Sequence, residues 1–386
     1  MSRFPEKGRP AEDVLAEVAR ERGRDVSFAS GRILGSMCTA PHPVAREAYL
    51  RFLETNLGDP ALFPGAHALE ARALAALGDL VAAPPAALGA FVSGGSEGNF
   101  TALRIAARRA AGRREIVLPE SAHFSFDKAC DYLGLVPRHA RVGPDFKVDV
   151  DDVRRLAGPR TAAIVALAGS TEHGVVDDVP ALAEVARATG AALHVDAAYG
   201  GFVVPFLKRL GHALPDFDFS VEGVTTIALD PHKMGLAPIP SGVVFARDAA
   251  DFRRVSTPSP YVSVERQPTL AGTRPGAAAA ATWAVIEHLG VAGYTDVVKR
   301  AWETAEHLVR RLAERDLAIA RAPETPIVVV PVADPVAVRA RLRERGWYVN
   351  LAPLTRGVKI VCMPHVTREA VDAFVPDLAD VVREVG

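Results

Sequence analysis

Cysteine is scarce. The 386 residues hold three, Cys38, Cys130 and Cys362, far apart and with neither a metal-ligand spacing nor a pairing pattern. That excludes a disulfide scaffold and gives no cysteine-based metal site, and it points to a reducing, cytoplasmic setting. No metal is expected. Charge of one sign is lacking too: 45 basic and 46 acidic residues leave a formal charge of −1. So balanced a chain has no general attraction for a polyanion, which excludes nucleic acid as an expected partner. Long apolar runs are missing. The most apolar helical stretch, 276–286, is alanine-rich and too short to cross a bilayer, so no membrane association is expected. The first residues, polar and charged, do not resemble a secretory signal. The glycine turn at Gly94–Gly95 lacks the lysine of a nucleotide P-loop and the spaced glycines of a dinucleotide site.

What is there is an ordinary enzyme composition, 49% hydrophobic and 24% charged, with enough chain for a large core. Helical spacing opens the sequence at 10–22, where Val14, Leu15, Val18 and Ala19 share a face. Helices are expected at 43–56 and 67–81 around irregular, glycine- and proline-punctuated loops. From about residue 90 the pattern becomes strand–helix alternation. Strands are expected at 90–93, 115–118, 162–167, 191–196, 225–229 and 242–246, with helices such as 99–111 and 179–189 between them. That grammar predicts an α/β fold with a mostly parallel sheet covered on both faces. Two long helices, 275–289 and 295–314, lead to a remainder with two strand candidates, 326–330 and 358–362, and two helices, a small α+β C-terminal domain. The expected division is an N-terminal helical segment 1–50, a large domain 51–290 and a small domain 291–386.

Two apolar runs end in charge. One stops at Asp196, the other at Asp230-Pro231-His232-Lys233. Strand ends of an open α/β sheet are where ligands bind. An acid and a lysine at one rim suit pyridoxal 5′-phosphate (PLP): the amine forms a Schiff base with the aldehyde, and the carboxylate keeps the ring nitrogen protonated. Burial beside a cationic cofactor would lower the pKa of Lys233 and favour its nucleophilic form. Ahead of them, Gly94-Gly95-Ser96 opens a helix whose N–H groups make an anion site, and His123 begins another helix where an imidazole can stack on a flat ring. Thr273-Arg274-Pro275 starts the alanine-rich helix and offers another phosphate contact. Taken singly, each has a plain alternative: a capped turn, a solvated lysine, a helix cap. Their order along the chain is what carries specificity.

That order resembles the group II PLP-dependent decarboxylases of fold type I, a family that also includes sphingosine-phosphate lyases. The segments 30–39, 54–65, 269–274 and 361–367 are similar to the archaeal-type L-tyrosine/L-aspartate decarboxylases. The resemblance implies a seven-stranded PLP domain and a homodimer with active sites at the subunit interface. It implies that Lys233 carries the Schiff base, Asp196 pairs with the ring nitrogen and His123 stacks on the ring. Gly95, Ser96 and His232 would hold the phosphate, Thr273 would reach it from the partner subunit, and Thr171 would lie near the cofactor's phenolic oxygen. His173 departs from the smaller or aliphatic residue usual there. Tyr261, in a proline-rich loop, is the candidate acid that protonates Cα, its alternative being an interface aromatic. Arg356 and Lys359 supply cations for a substrate carboxylate, which favours L-aspartate, with β-alanine as product, over L-tyrosine. The rival readings are a carbon–carbon lyase or β-eliminating enzyme of the same fold, and a cofactor-free scaffold with an idle Lys233.

Overall fold

A computed structural model of the chain describes residues 4–110 and 112–386. Its centre is a seven-stranded sheet built from β1 (Leu88–Val92), β2 (Glu115–Pro119), β3 (Val136–Ala140), β4 (Thr161–Leu167), β5 (Ala192–Asp196), β6 (Val224–Leu229) and β7 (Gly242–Ala246). The spatial order is β1-β7-β6-β5-β4-β2-β3, and β7 alone runs against its neighbours. β4, β6 and β7 are buried along their whole length, so they read as continuous apolar runs rather than alternating ones. β3 is different. It is a half-exposed edge of sequence Val-Pro-Arg-His-Ala, and it lacks the apolar run that betrays the others. Pro137 is tolerated there because edge strands need not donate to a second neighbour.

Parallel pairing places the C-terminal ends of β2, β4, β5 and β6 on one rim. The reversed β7 brings its first residue to the same rim, where Gly242 pairs with Val92 at the end of β1. The helix Gly95–Arg109 starts from this rim and packs back across β4 to β7. Its N-terminal turn lies against Gly242, where an added Cβ would sit 2.4 Å from the Cα of Gly94 and 2.7 Å from that residue's N and C atoms.

The expected helices 275–289 and 295–314 form one element, Gly276–Ala313, broken at Gly290 by a positive φ of 55°. The first half, with Ala277 to Ala281 buried, packs on the helices Pro43–Arg51 and Pro64–Leu80; the second half meets the C-terminal helix Arg368–Val385. The last third of the chain adds a three-stranded antiparallel sheet, Ile327–Pro331, Gly357–Val361 and Asn350–Ala352, around a separate core that includes Trp347 and Phe374. The third of these strands has three residues and escapes a reading of apolar runs. The N-terminal helix Ala11–Arg22 buries no residue, and Val14, Leu15 and Val18 face outward.

Gly242→Ala is expected to destabilise the protein by about 3 kcal/mol, because backbone rather than a movable side chain blocks the new methyl. A chemical denaturation midpoint equal to that of the parent protein would contradict the close approach of the turn.

Candidate active site

The rim encloses a cavity of about 370 Å³. Gly95, Ser96, His123, Thr171, Asp196, His232 and Lys233 all line it. Five segments far apart in sequence thus meet in one place, each delivered by a strand end or a helix start.

Lys233 sits in the turn after β6. Its backbone N–H donates to the Asp230 carbonyl (3.0 Å), and the next residue, fully buried Met234, anchors the turn in the core. Lys233 Nζ lies 3.1 Å from Asp230 Oδ2. Burial opposes the charge on this amine, but Asp230 and Asp196 together outweigh burial and raise its pKa. This corrects the expectation of a lowered value: the acids facing the lysine decide the sign. The same Asp230 Oδ2 is 3.8 Å from His232 Nε2, whereas its Oδ1 is buried without a partner. His232 Nδ1 donates to the Ser241 carbonyl at 2.5 Å, which leaves Nε2 on the cavity side.

The helix Gly95–Arg109 begins without a side-chain cap, since Gly94 occupies the N-cap. Uncapped N–H groups at a helix start make a ready anion site. Glu97 accepts from the Ser93 N–H (2.8 Å) and closes the turn from behind. The glycines let the turn press on its neighbours: a Cβ on Gly95 would lie 3.0 Å from Asp230 Oδ2.

Asp196 ends β5. Its Oδ1 accepts from the Ala198 N–H (3.0 Å) and its Oδ2 from the Asn99 side-chain amide (3.0 Å). His123 Nδ1 accepts from the Ser125 N–H (3.3 Å), and burial lowers its pKa. A carboxyl group, an imidazole, a primary amine and an uncapped helix start, all on one cavity, match the groups PLP presents: a basic ring nitrogen, a flat aromatic face, an aldehyde and a phosphate.

Four residues singled out in the sequence lie outside this cavity, which for Thr273 agrees with its expected reach to the partner subunit. Tyr261 (87% exposed) and Thr273 line a second cleft of about 530 Å³ together with Asn56, Thr257, Thr269 and Leu270. Arg356 is exposed on a left-handed turn, donates to the Ala333 carbonyl (3.3 Å) and does not line the cavity. Arg274 is no phosphate ligand. It is drawn inward to Glu70 (3.1 Å) and to the Leu57 and Phe91 carbonyls. Lys359, by contrast, is buried just behind the cavity wall, its Nζ 2.8 Å from the carbonyl oxygen of Thr171. Burial, and to a lesser degree Lys233, push its pKa down to about 8 against the opposing pull of Glu172.

Sequence reasoning gave no role to Asp230, Asn99 or His194. Asp230 stood inside the Asp-Pro-His-Lys motif, and His194 lies two places before Asp196, hence on the same strand face. Asn99, four residues past the glycine turn, carried no such signal.

Fold and site together define a fold type I, PLP-dependent enzyme. Comparison with known proteins narrows this. Residues 54–330 match the pyridoxal-dependent decarboxylase conserved domain. The chain is 47% identical over 385 residues to the probable L-tyrosine/L-aspartate decarboxylase of Methanothrix thermoacetophila, covering 99% of this chain and 98% of that protein. It is 43% identical over 388 residues to the L-aspartate decarboxylase of Thermococcus kodakarensis, covering 99% and 100%. Among solved structures, a sphingosine-1-phosphate lyase of Burkholderia pseudomallei superposes with a TM-score of 0.91 at 30% identity, covering 99% of this chain and 92% of that one. The chain belongs to the pyridoxal-dependent decarboxylase family, in its group II, archaeal-type branch. It is an amino acid decarboxylase with PLP as cofactor.

His173 is 2% exposed and lies flat on Phe146, ring centroids 3.8 Å apart. Neither ring nitrogen has a partner, and burial lowers its pKa to about 4. His194 is also held at about 4 by burial. A depressed imidazole contributes stability that is complete above its ordinary value of 6.5 and drains away as pH falls toward 4, on the order of 3 kcal/mol at most for each. His173→Phe should keep the stack, remove two orphaned nitrogens and reduce the loss of thermal stability between neutral and acid pH. A variant as acid-sensitive as the parent would show that His173 is not buried in this way.

Proposed function

We propose that the enzyme decarboxylates L-aspartate to β-alanine. Lys359 carries this reading: a buried amine directly behind Thr171, where a substrate side-chain carboxylate gains a cation and a phenol gains nothing. The names of the two relatives support it, since both include aspartate. An ammonium gives a point charge there rather than a bidentate fork.

The roles we assign within the cavity follow from the contacts. Lys233 would hold the cofactor covalently through Nζ. Asp196, held by two N–H donors, would keep a proton on the ring nitrogen. His123, its plane fixed by the Ser125 N–H, would stack on the ring. Gly95, Ser96 and His232 would hold the phosphate, and Thr171 would line the substrate side. Bound there, PLP supplies the electron sink that accepts the charge left when the Cα–carboxylate bond breaks. Holding that bond perpendicular to the ring is the cavity's task, and positioning of this kind lowers a barrier by several kcal/mol.

We further propose a homodimer in the cytoplasm. Thr273 and Tyr261 lie in a cleft apart from their own chain's Lys233, beside exposed Leu270. A partner subunit that covers this cleft gives both residues a cavity to serve, Thr273 at the phosphate and Tyr261 as the acid that returns a proton to Cα. No helix of the described residues is long and apolar enough to cross a membrane.

The test is a screen of aspartate, tyrosine and glutamate for carbon dioxide release, with the products identified. Aspartate should yield β-alanine, and the purified protein should show a visible absorbance band that Lys233→Ala abolishes. Carbon dioxide from none of the three would overturn the substrate assignment. Products of carbon–carbon cleavage or β-elimination would instead favour the lyase chemistry that the Burkholderia likeness keeps in view. Lys359→Met should raise the KM for aspartate about tenfold or more, the loss of one charge-assisted contact. In the parent enzyme the same KM should climb as pH rises past about 8 and the ammonium is lost. A flat profile would remove Lys359 from substrate binding.

A further inference from the structure

Beneath the cavity floor a line of three buried polar side chains runs inward from Asp196. Asn99, 1% exposed, places its side-chain nitrogen 3.0 Å from Asp196 Oδ2 and 3.1 Å from Ser125 Oγ. Its side-chain oxygen is 3.0 Å from His194 Nε2, and His194 Nδ1 is 2.9 Å from Thr226 Oγ1. The strand register explains the meeting. His194 and Thr226 are direct partners across β5 and β6, and His194 shares a face with Asp196 two residues on. The helix Gly95–Arg109 covers that face and lowers Asn99 onto both.

Only one arrangement of protons satisfies this line. The carboxylate can only accept, so the amide must turn its nitrogen toward Asp196. The amide oxygen then faces His194, whose Nε2 must carry the hydrogen. The remaining lone pair, on Nδ1, takes the hydrogen of the Thr226 hydroxyl. Every donor points the same way, and the line ends on the acid. None of its three side chains caps a helix. Buried polar groups are costly in a core unless fully satisfied, and an apolar trio would pack this space without that demand.

We propose that Asn99 and His194 are positioning residues for Asp196: they fix the carboxylate's orientation toward the ring nitrogen of the cofactor. This rests on the role assigned to Asp196 above. One N–H donor on each carboxylate oxygen fixes its plane and leaves the other lone pairs for the ring. Breaking the line at Asn99 leaves Asp196 with the Ala198 N–H alone. Breaking it at His194 frees the amide to turn. The ionisable groups that face this acid are His194 from below and His123, Lys233 and Asp230 around the cavity.

The experiment uses the PLP-loaded enzyme and four variants: Asn99→Leu, His194→Leu, His194→Gln and Asp196→Ala. The readouts are the pH at which the visible absorbance of the bound cofactor changes, and kcat and KM for aspartate. Asn99→Leu and His194→Leu should move the spectral midpoint by about one pH unit and lower kcat about tenfold with KM little changed, as expected for one lost charge-assisted hydrogen bond. His194→Gln keeps an N–H for the Asn99 oxygen and should restore most of both. If Asn99→Leu does not fold, the His194→Leu and His194→Gln pair decides alone. An unchanged spectral midpoint with only a lower melting temperature would overturn the proposal and leave the line as packing. Failure of the underlying reading looks different: Asp196→Ala itself would keep the parent spectrum and turnover.

Discussion

A buried amine keeps its charge only where carboxylates stand close, and the pairing of Lys233 with Asp230 at 3.1 Å meets that condition. The rest of the site is arranged around it. Asp230 is pressed from the other side by the glycine turn, so the amine, its counter-ion and the uncapped helix start share one small volume. Asp230 Oδ1 has no partner although it is buried, a cost that the protein core would not carry without a use for it. Asp196 adds a second negative group, and the two acids together overcome the penalty of burying the lysine.

The sheet makes this concentration of charge possible. Parallel strands end together, and their end residues point into a crevice rather than into the core. β7, although reversed, contributes by what it lacks: Gly242 leaves room for the turn that opens the helix Gly95–Arg109. The same helix then does two jobs. Its first turn offers N–H groups to an anion, and its next carries Asn99 down to Asp196. Cofactor chemistry and core packing are therefore joined in one element.

Much of this could be read from the chain, because buried parallel strands write themselves as apolar runs and a charge at the end of such a run stands out. Asp196 and Lys233 were legible for that reason. β3 was not, because a half-exposed edge strand has no run to show, and the strand at Asn350–Ala352 is too short to show one. Arg274 and Arg356 misled in opposite directions. Each lies near a motif, but sequence does not say whether a guanidinium turns toward a cavity, toward Glu70 or toward solvent. The sign of the shift at Lys233 was hidden as well, since it depends on carboxylates that the fold brings near. The inward line through Asn99 and His194 depends on register between strands, which no local pattern states.

The contact of Lys359 with the Thr171 carbonyl joins the two sheets, and the Leu354 N–H adds a second tie by donating to Glu172 (3.1 Å). One wall of the cavity is thus gauged by the C-terminal sheet, whereas Lys233, Asp196 and the uncapped helix start belong to the large one. Changes in the last third of the chain can therefore reshape that wall and leave those three groups in place.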